Sequence, residues 1–180
     1  MKNNSVKVAI IGCGRVSGHH CRSIIETEGT ELVAVCDLVA DKANIYHEQF
    51  GAKAYINYHQ MLIENPEINT VSIVTPSGMH YEHALDIISR YRKNIIVEKP
   101  TFMKPSQVRE VYEKASAAGV QVFAVFQNRH NLAVKRVLQG LEAGELGGVR
   151  SVAVRVRWCR PQRYYDLAPW RGNFRWMGVA

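Results

Sequence analysis

Lys99 closes the aliphatic run NIIVEKP (residues 94–100), with Glu98 before it and Pro100 after it. A strand that ends on a charged pair backed by proline places a lysine where a ligand can meet it. Such a lysine can donate to a substrate hydroxyl, or to the ketone oxygen that develops from it, and burial can lower its pKa for that work. Alternatively it forms an ion pair with Glu98 at the strand end. Spacing alone leaves both readings open.

A second set lies in GCGRVSGHH (residues 12–20). Gly12 and Gly14 fill the first two places of a G-x-G-x-x-G turn, which lets a backbone approach a pyrophosphate at a helix N-terminus. Ser17 stands in the third place, small enough for the helix to pack on its strand. Asp37 follows 23 residues after Gly14, at the end of the next aliphatic run. A carboxylate there accepts both ribose hydroxyls of an adenosine and repels a 2′-phosphate, so NAD is expected over NADP.

The third set is TPSGMHYEH (residues 75–83), in which Thr75, Ser77 and His80 are expected to point into the same crevice as Gly12. His80 and His83 have helical spacing but lack a third metal ligand, so capping and surface roles are expected of them. A helix-surface role is likewise expected of His19 and His20, and no metal is expected anywhere. Cys13, Cys21, Cys36 and Cys159 have no C-x-x-C spacing and read as reduced thiols.

The elements that must position these residues alternate. Aliphatic runs at 6–12, 31–37, 70–76, 94–100 and 120–126, with a weaker one at 52–56, suit strands covered on both faces. Helical spacing lies between them at about 15–28, 41–50, 79–92 and 105–118. The alternation predicts an α/β class: a Rossmann-type, doubly wound parallel sheet. After residue 131 come a further helix, NLAVKRVLQGLEAG, and VRSVAVRVRW (149–158), whose apolar and basic residues alternate as in a strand with one open side. A boundary is expected near 128–148, giving residues 1–128 as the nucleotide-binding domain. Residues 129–180 would be a linker helix and the truncated start of an α+β open-sheet domain.

Composition narrows the classes. The chain of 180 residues is 47% apolar and 22% charged, ordinary for a protein with a buried core. It has no apolar run long enough for a membrane span and no signal-peptide pattern, so a cytoplasmic location without membrane partners is expected. Of the net charge of +7, residues 150–180 contribute +6 through seven arginines against Asp166. Such a segment can bind nucleic acid or a small polyanion, or simply be a solvated face. No nucleic-acid recognition motif accompanies it, and nucleic acid is not expected as a partner.

The set GCGR, CD (36–37), TPSGMH, EKP and FQNRHN (126–131) resembles the glucose-fructose oxidoreductase, inositol dehydrogenase and MocA family of NAD(P)-dependent sugar dehydrogenases. The resemblance implies a Rossmann domain followed by an open-sheet domain carrying substrate and oligomer contacts. It implies a catalytic or substrate-orienting role for Lys99. Cofactor contacts are implied at Gly12, Gly14, Arg15, Val16, Asp37, Thr75, Ser77, His80, Glu98 and Gln127. RWCRPQRYYDLAPWRG (157–172) is similar to the branch that oxidises UDP-N-acetylglucosaminuronate at its 3-hydroxyl for surface polysaccharide synthesis. There Arg160 and Arg163 would meet the acid groups, Tyr164 and Tyr165 would stack or hydrogen-bond, and Trp170 and Arg171 would border the nicotinamide. Arginine forks suit a diphosphate and a carboxylate.

The resemblance also implies a glycine-rich stretch and an Asp/His helix after WRG, which this sequence does not carry. With G in the free third positions of the Gly178 and Val179 codons, residues 176–180 read in another frame as Asp-Gly-Gly-Gly, so the last residues are expected to be an out-of-frame reading. The expectation is a dehydrogenase, homo-oligomeric in full-length form, present here as an inactive fragment that still binds dinucleotide and self-associates. A non-catalytic NAD-binding regulatory module, or a dehydrogenase of inositol or another free sugar, is the alternative.

Overall fold

The computed structural model describes residues 5–167. They fall into two compact units, one running up to Val125 and one from Phe126 onward.

The first unit is one parallel sheet. Its strands are β1 (Val6–Ile11), β2 (Thr30–Cys36), β3 (Lys53–Tyr55), β4 (Thr70–Ile73), β5 (Asn94–Val97) and β6 (Val122–Ala124), in the order β3-β2-β1-β4-β5-β6. All five pairings are parallel. That is the expected doubly wound Rossmann arrangement, with its switch point between β1 and β4. Alternate residues of β1 enter opposite cores: Ala9 and Ile11 join one cluster with Val71, Ile73, Ile95 and Val97, while Val8 and Ile10 join another with Cys21, Ile24 and Val35. A strand buried on both faces needs a continuous aliphatic run, and so the five main runs were legible as strands.

The crossover helices are α1 (Ser17–Glu26), α2 (Ala40–Phe50), α3 (Tyr58–Glu64), α4 (His80–Asp86) and α5 (Pro105–Ala118). Local chemistry sets their ends. α2 stops at Gly51 and α5 at Gly119, both left-handed, with φ of 72° and 70°. The Gln107 side chain accepts from the Met103 and Lys104 N–H groups, each at 3.0 Å, ahead of Pro105.

Three details depart from expectation. Helix α3, capped by Asn57 Oδ1 on the His59 N–H at 2.8 Å, lies in a segment read as neither helix nor strand. The segment expected as one helix over 79–92 is a 3₁₀ turn (Ser77–Met79), then α4, then a π-helical turn (Ile87–Tyr91).

The third departure lies in the second unit. It contains α6 (Leu132–Glu142), capped by Asn131 Oδ1 on the Ala133 N–H at 2.9 Å, and α7 (Gln162–Asp166). Residues 149–160, which include the expected strand 149–158, carry no secondary structure. A strand is held by ladder hydrogen bonds to a neighbour, and the described residues offer this segment none. Its Val152, Val154, Val156 and Trp158 are exposed. No helix among the described residues is long and apolar enough to cross a membrane.

Candidate functional site

Because every strand runs the same way, the turns after β1, β2, β4 and β5 share one edge of the sheet, where the expected residues gather. The glycine turn is built to exclude side chains at one point and leave room at the next. Gly12 has φ of +97°, and a Cβ there would stand 2.7 Å from the Val74 carbonyl oxygen. At Gly14 a Cβ would meet nothing within 4 Å, so space lies open over the turn. Ser17, fully buried, braces the turn from the third glycine's place: its hydroxyl donates to the Gly12 carbonyl and accepts from the Gly14 N–H at 3.0 Å. Tyr46, on α2, donates to the Gly14 carbonyl at 2.6 Å. Arg15 and Val16 are exposed, and α1 has neither an acidic residue in its first turn nor a side-chain cap. Its leading N–H groups are therefore suited to an anion.

Asp37 is fixed beside that turn. One carboxylate oxygen accepts from the Cys13 N–H and the other from the Val39 N–H, each at 2.9 Å. An anchored, half-buried carboxylate keeps lone pairs free for ribose hydroxyls.

The turn after β4 corrects the histidine readings. His80 is 1% exposed and does not lie on the surface: its backbone N–H caps the 3₁₀ turn on the Ser77 carbonyl while its ring is buried. Its Nε2 is 2.9 Å from the Thr75 carbonyl oxygen and its Nδ1 is 2.9 Å from that of Pro100. The start of α4 is folded under the loop that follows β5, which turns this ring inward. His83 is also partly buried, with Nδ1 3.1 Å from Thr75 Oγ1. Burial, helped by nearby His80, pushes its pKa down to about 4. Ser77 begins the 3₁₀ turn and is half-buried. His19 does lie on the surface, but His20 does not: Nδ1 is 2.9 Å from Ser72 Oγ and Nε2 is 3.0 Å from Glu98 Oε1.

At the end of β5, Glu98 is 8% exposed. Its second carboxylate oxygen accepts from the Lys99 N–H at 3.0 Å. Burial pushes this carboxyl up, but the hydrogen bonds from His20 and the Lys99 N–H, with their charges, outweigh it and hold the pKa below the usual value. The side-chain partner of Glu98 is thus the His20 ring, at 3.0 Å, and not the Lys99 ammonium. The Lys99 side chain is exposed, not buried, and its peptide bond to Pro100 is cis. The Thr101 hydroxyl is buried without a hydrogen-bond partner.

Cys13, Cys21 and Cys36 are free and buried, and burial raises their thiols to about 12, 11 and 12. Cys159 is free and exposed. Among the described residues no three His, Cys, Asp or Glu side chains gather as metal ligands.

In the second unit Gln127 opens an exposed 3₁₀ turn (Gln127–His130). The Arg160 guanidinium lies 5.2 Å from the ring centroids of both Trp158 and Tyr164, and Tyr164 meets Tyr165 edge to face at 5.2 Å. Arg163 is exposed. Trp170, Arg171 and residues 176–180 lie outside the described residues.

A family model for an oxidoreductase family with an NAD-binding Rossmann fold, the GFO/IDH/MocA family, matches residues 6–126. The chain belongs to this oxidoreductase family. The WlbA dehydrogenase from Bordetella pertussis, solved in complex with NADH and UDP-GlcNAcA, superposes with a TM-score of 0.89 and 30% identity, covering 96% of this chain and 53% of that one. D-glucoside 3-dehydrogenase of Escherichia coli is 29% identical over 87% of this chain and 44% of its own length. Myo-inositol 2-dehydrogenase of Thermotoga maritima is 26% identical over 79% and 42%. The chain thus spans about half the length of these relatives.

The cofactor of this oxidoreductase family, NAD, fits the residues present. Gly12 and Ser17 close the turn, Gly14 leaves open space above it, and the Asp37 carboxylate is anchored beside it on the Cys13 N–H. His20, Ser72 and Tyr46 are the site residues that the sequence reading did not single out for this edge. Only the doubled histidine of GHH drew notice, and its local spacing points to the surface.

Proposed function

We propose that this chain is the cofactor-binding part of a dehydrogenase that oxidises a secondary hydroxyl of a nucleotide sugar, the 3-hydroxyl of a UDP-N-acetylglucosaminuronate-type substrate. The likeness to the WlbA dehydrogenase over 96% of the chain carries the reading. Residues 1–128 form the NAD-binding domain, and residues 129–180 are the linker helix and first part of a domain for substrate and oligomer contacts. Gly12, Gly14, Arg15 and Val16 hold the pyrophosphate, and Asp37 holds the ribose. Thr75, Ser77, Glu98, Gln127, Trp170 and Arg171 line the remainder of the dinucleotide, and buried His80 supports that lining through the Thr75 and Pro100 carbonyls. Bound NAD supplies the two-electron acceptor for the carbinol carbon.

Lys99 acts on the sugar. Its exposed ammonium donates to the reacting hydroxyl oxygen and stabilises charge that develops there. Arg160 and Arg163 meet the diphosphate and carboxylate, with Tyr164 and Tyr165 beside them. A dehydrogenase of glucosides or inositol is the second reading, favoured by relatives of 29% and 26% identity.

The 180-residue chain lacks the Asp and His that the family resemblance places opposite this lysine. Loss of a general base costs roughly a hundredfold to ten-thousandfold, and loss of substrate positioning adds to it. The test is NADH appearance from NAD with UDP-N-acetylglucosaminuronate, methyl glucoside or myo-inositol, run beside calorimetry of each sugar with the NAD-loaded chain. Binding of the nucleotide sugar alone, with turnover below detection, is expected. Binding of a free sugar alone overturns the substrate assignment, and appreciable turnover overturns the inactivity of this chain.

A further inference from the structure

Behind Lys99 lies a buried relay drawn from three elements. Ser72 on β4 is fully buried, and its Oγ is 2.9 Å from His20 Nδ1 on α1. The other ring nitrogen is 3.0 Å from Glu98 Oε1, and Glu98 Oε2 accepts the Lys99 N–H at 3.0 Å. An ionised glutamate only accepts, so the nitrogen facing it, Nε2, carries hydrogen. Nδ1 is then free to accept the Ser72 hydroxyl, and a neutral ring satisfies every contact in the relay.

We propose that His20 is a positioning residue for Lys99, acting through Glu98. The proposal rests on the role given above to Lys99. Three restraints fix the Lys99 backbone: its N–H is bonded to Glu98, Pro100 restricts the residue before it, and the Pro100 carbonyl is met by His80 from α4. Without His20, the Glu98 carboxylate keeps its burial but loses its side-chain donor, so the restraint on the Lys99 N–H weakens as the carboxyl gains a proton. The charged and titratable groups that face Glu98 are His20 on α1 and Lys99 on its own segment, while the Ser72 hydroxyl backs the ring from β4. His20 also sits on the helix whose first turn forms the phosphate cradle, so one helix organises both ends of the dinucleotide site.

The experiment is the pH titration of the Lys99 backbone amide by ¹H–¹⁵N NMR, in the wild-type chain and in His20→Leu and His20→Gln. The Lys99 amide should follow Glu98, with an inflection below the free glutamate value of about 4.3 in the wild type. In His20→Leu it should move above that value, by at least a tenfold change in proton affinity. His20→Gln, whose amide nitrogen can still donate to Glu98, should restore most of the shift. An unchanged inflection in a folded His20→Leu chain overturns the proposal. If that variant does not fold, the tautomer of the wild-type His20 ring decides: hydrogen on Nε2 supports the relay, and hydrogen on Nδ1 alone overturns it. These readings do not depend on any sugar being bound or oxidised, so failure of the substrate assignment would leave them intact.

Discussion

Single side chains at this site are tuned by what buries them. His83, held near Thr75, has its pKa lowered from 6.5 to about 4 by burial and by His80. The folded state therefore resists protonation at pH values where the unfolded chain accepts a proton. Between about 6.5 and 4 the unfolded state binds more protons, and stability falls as the pH falls through that window. Full use of that shift is worth on the order of 3 kcal/mol. Glu98 works in the same direction at lower pH: its depressed folded pKa gives stability that is present above the unfolded value and lost as pH drops through the folded one. Urea unfolding at pH 7 and pH 5 should show the wild type weakening in acid and His83→Gln weakening less. Equal losses in the two proteins would remove His83 as the cause. None of this was legible locally. The partners of His20 lie 52 and 78 residues away, and those of His80 are backbone carbonyls, which carry no sequence signature.

At the scale of elements, β1 is the keystone: it pairs with β2 on one side and β4 on the other, and it ends at Gly12. Ile10 is fully buried on it. Ile10→Ala should cost about 2–5 kcal/mol, because the site, closed in by neighbouring strands, cannot collapse around the lost methyl groups. Chemical denaturation measures it, and a cost below about 1 kcal/mol would contradict the two-faced burial of this strand. Strands β1, β2 and β4 were legible because burial on both faces writes an unbroken aliphatic run into each. Helix α3 was not, because YHQMLIE is short and buries only Met61 and Leu62. Residues 149–158 carry the alternation of a strand, but alternation states only which side would face a core. The ladder requires a neighbour, and no residue in the segment specifies one.

The whole molecule joins a well-formed nucleotide-binding sheet to a basic, apolar-surfaced second unit. Residues 150–180 hold +6 of the net charge, and α6 exposes Leu132, Val134, Val137, Leu138 and Leu141. The sheet unit supplies its own turn, carboxylate and core, so the pyrophosphate and ribose contacts expected of a dinucleotide lie within it. The most direct test of the account is calorimetric titration of the 180-residue chain with NAD and, separately, with NADP. Asp37, anchored by the Cys13 and Val39 N–H groups, cannot swing away from a 2′-phosphate without breaking both bonds. NAD should bind at least tenfold more tightly, about 1.4 kcal/mol. Equal affinities, tighter NADP binding, or no binding of either dinucleotide would contradict the account.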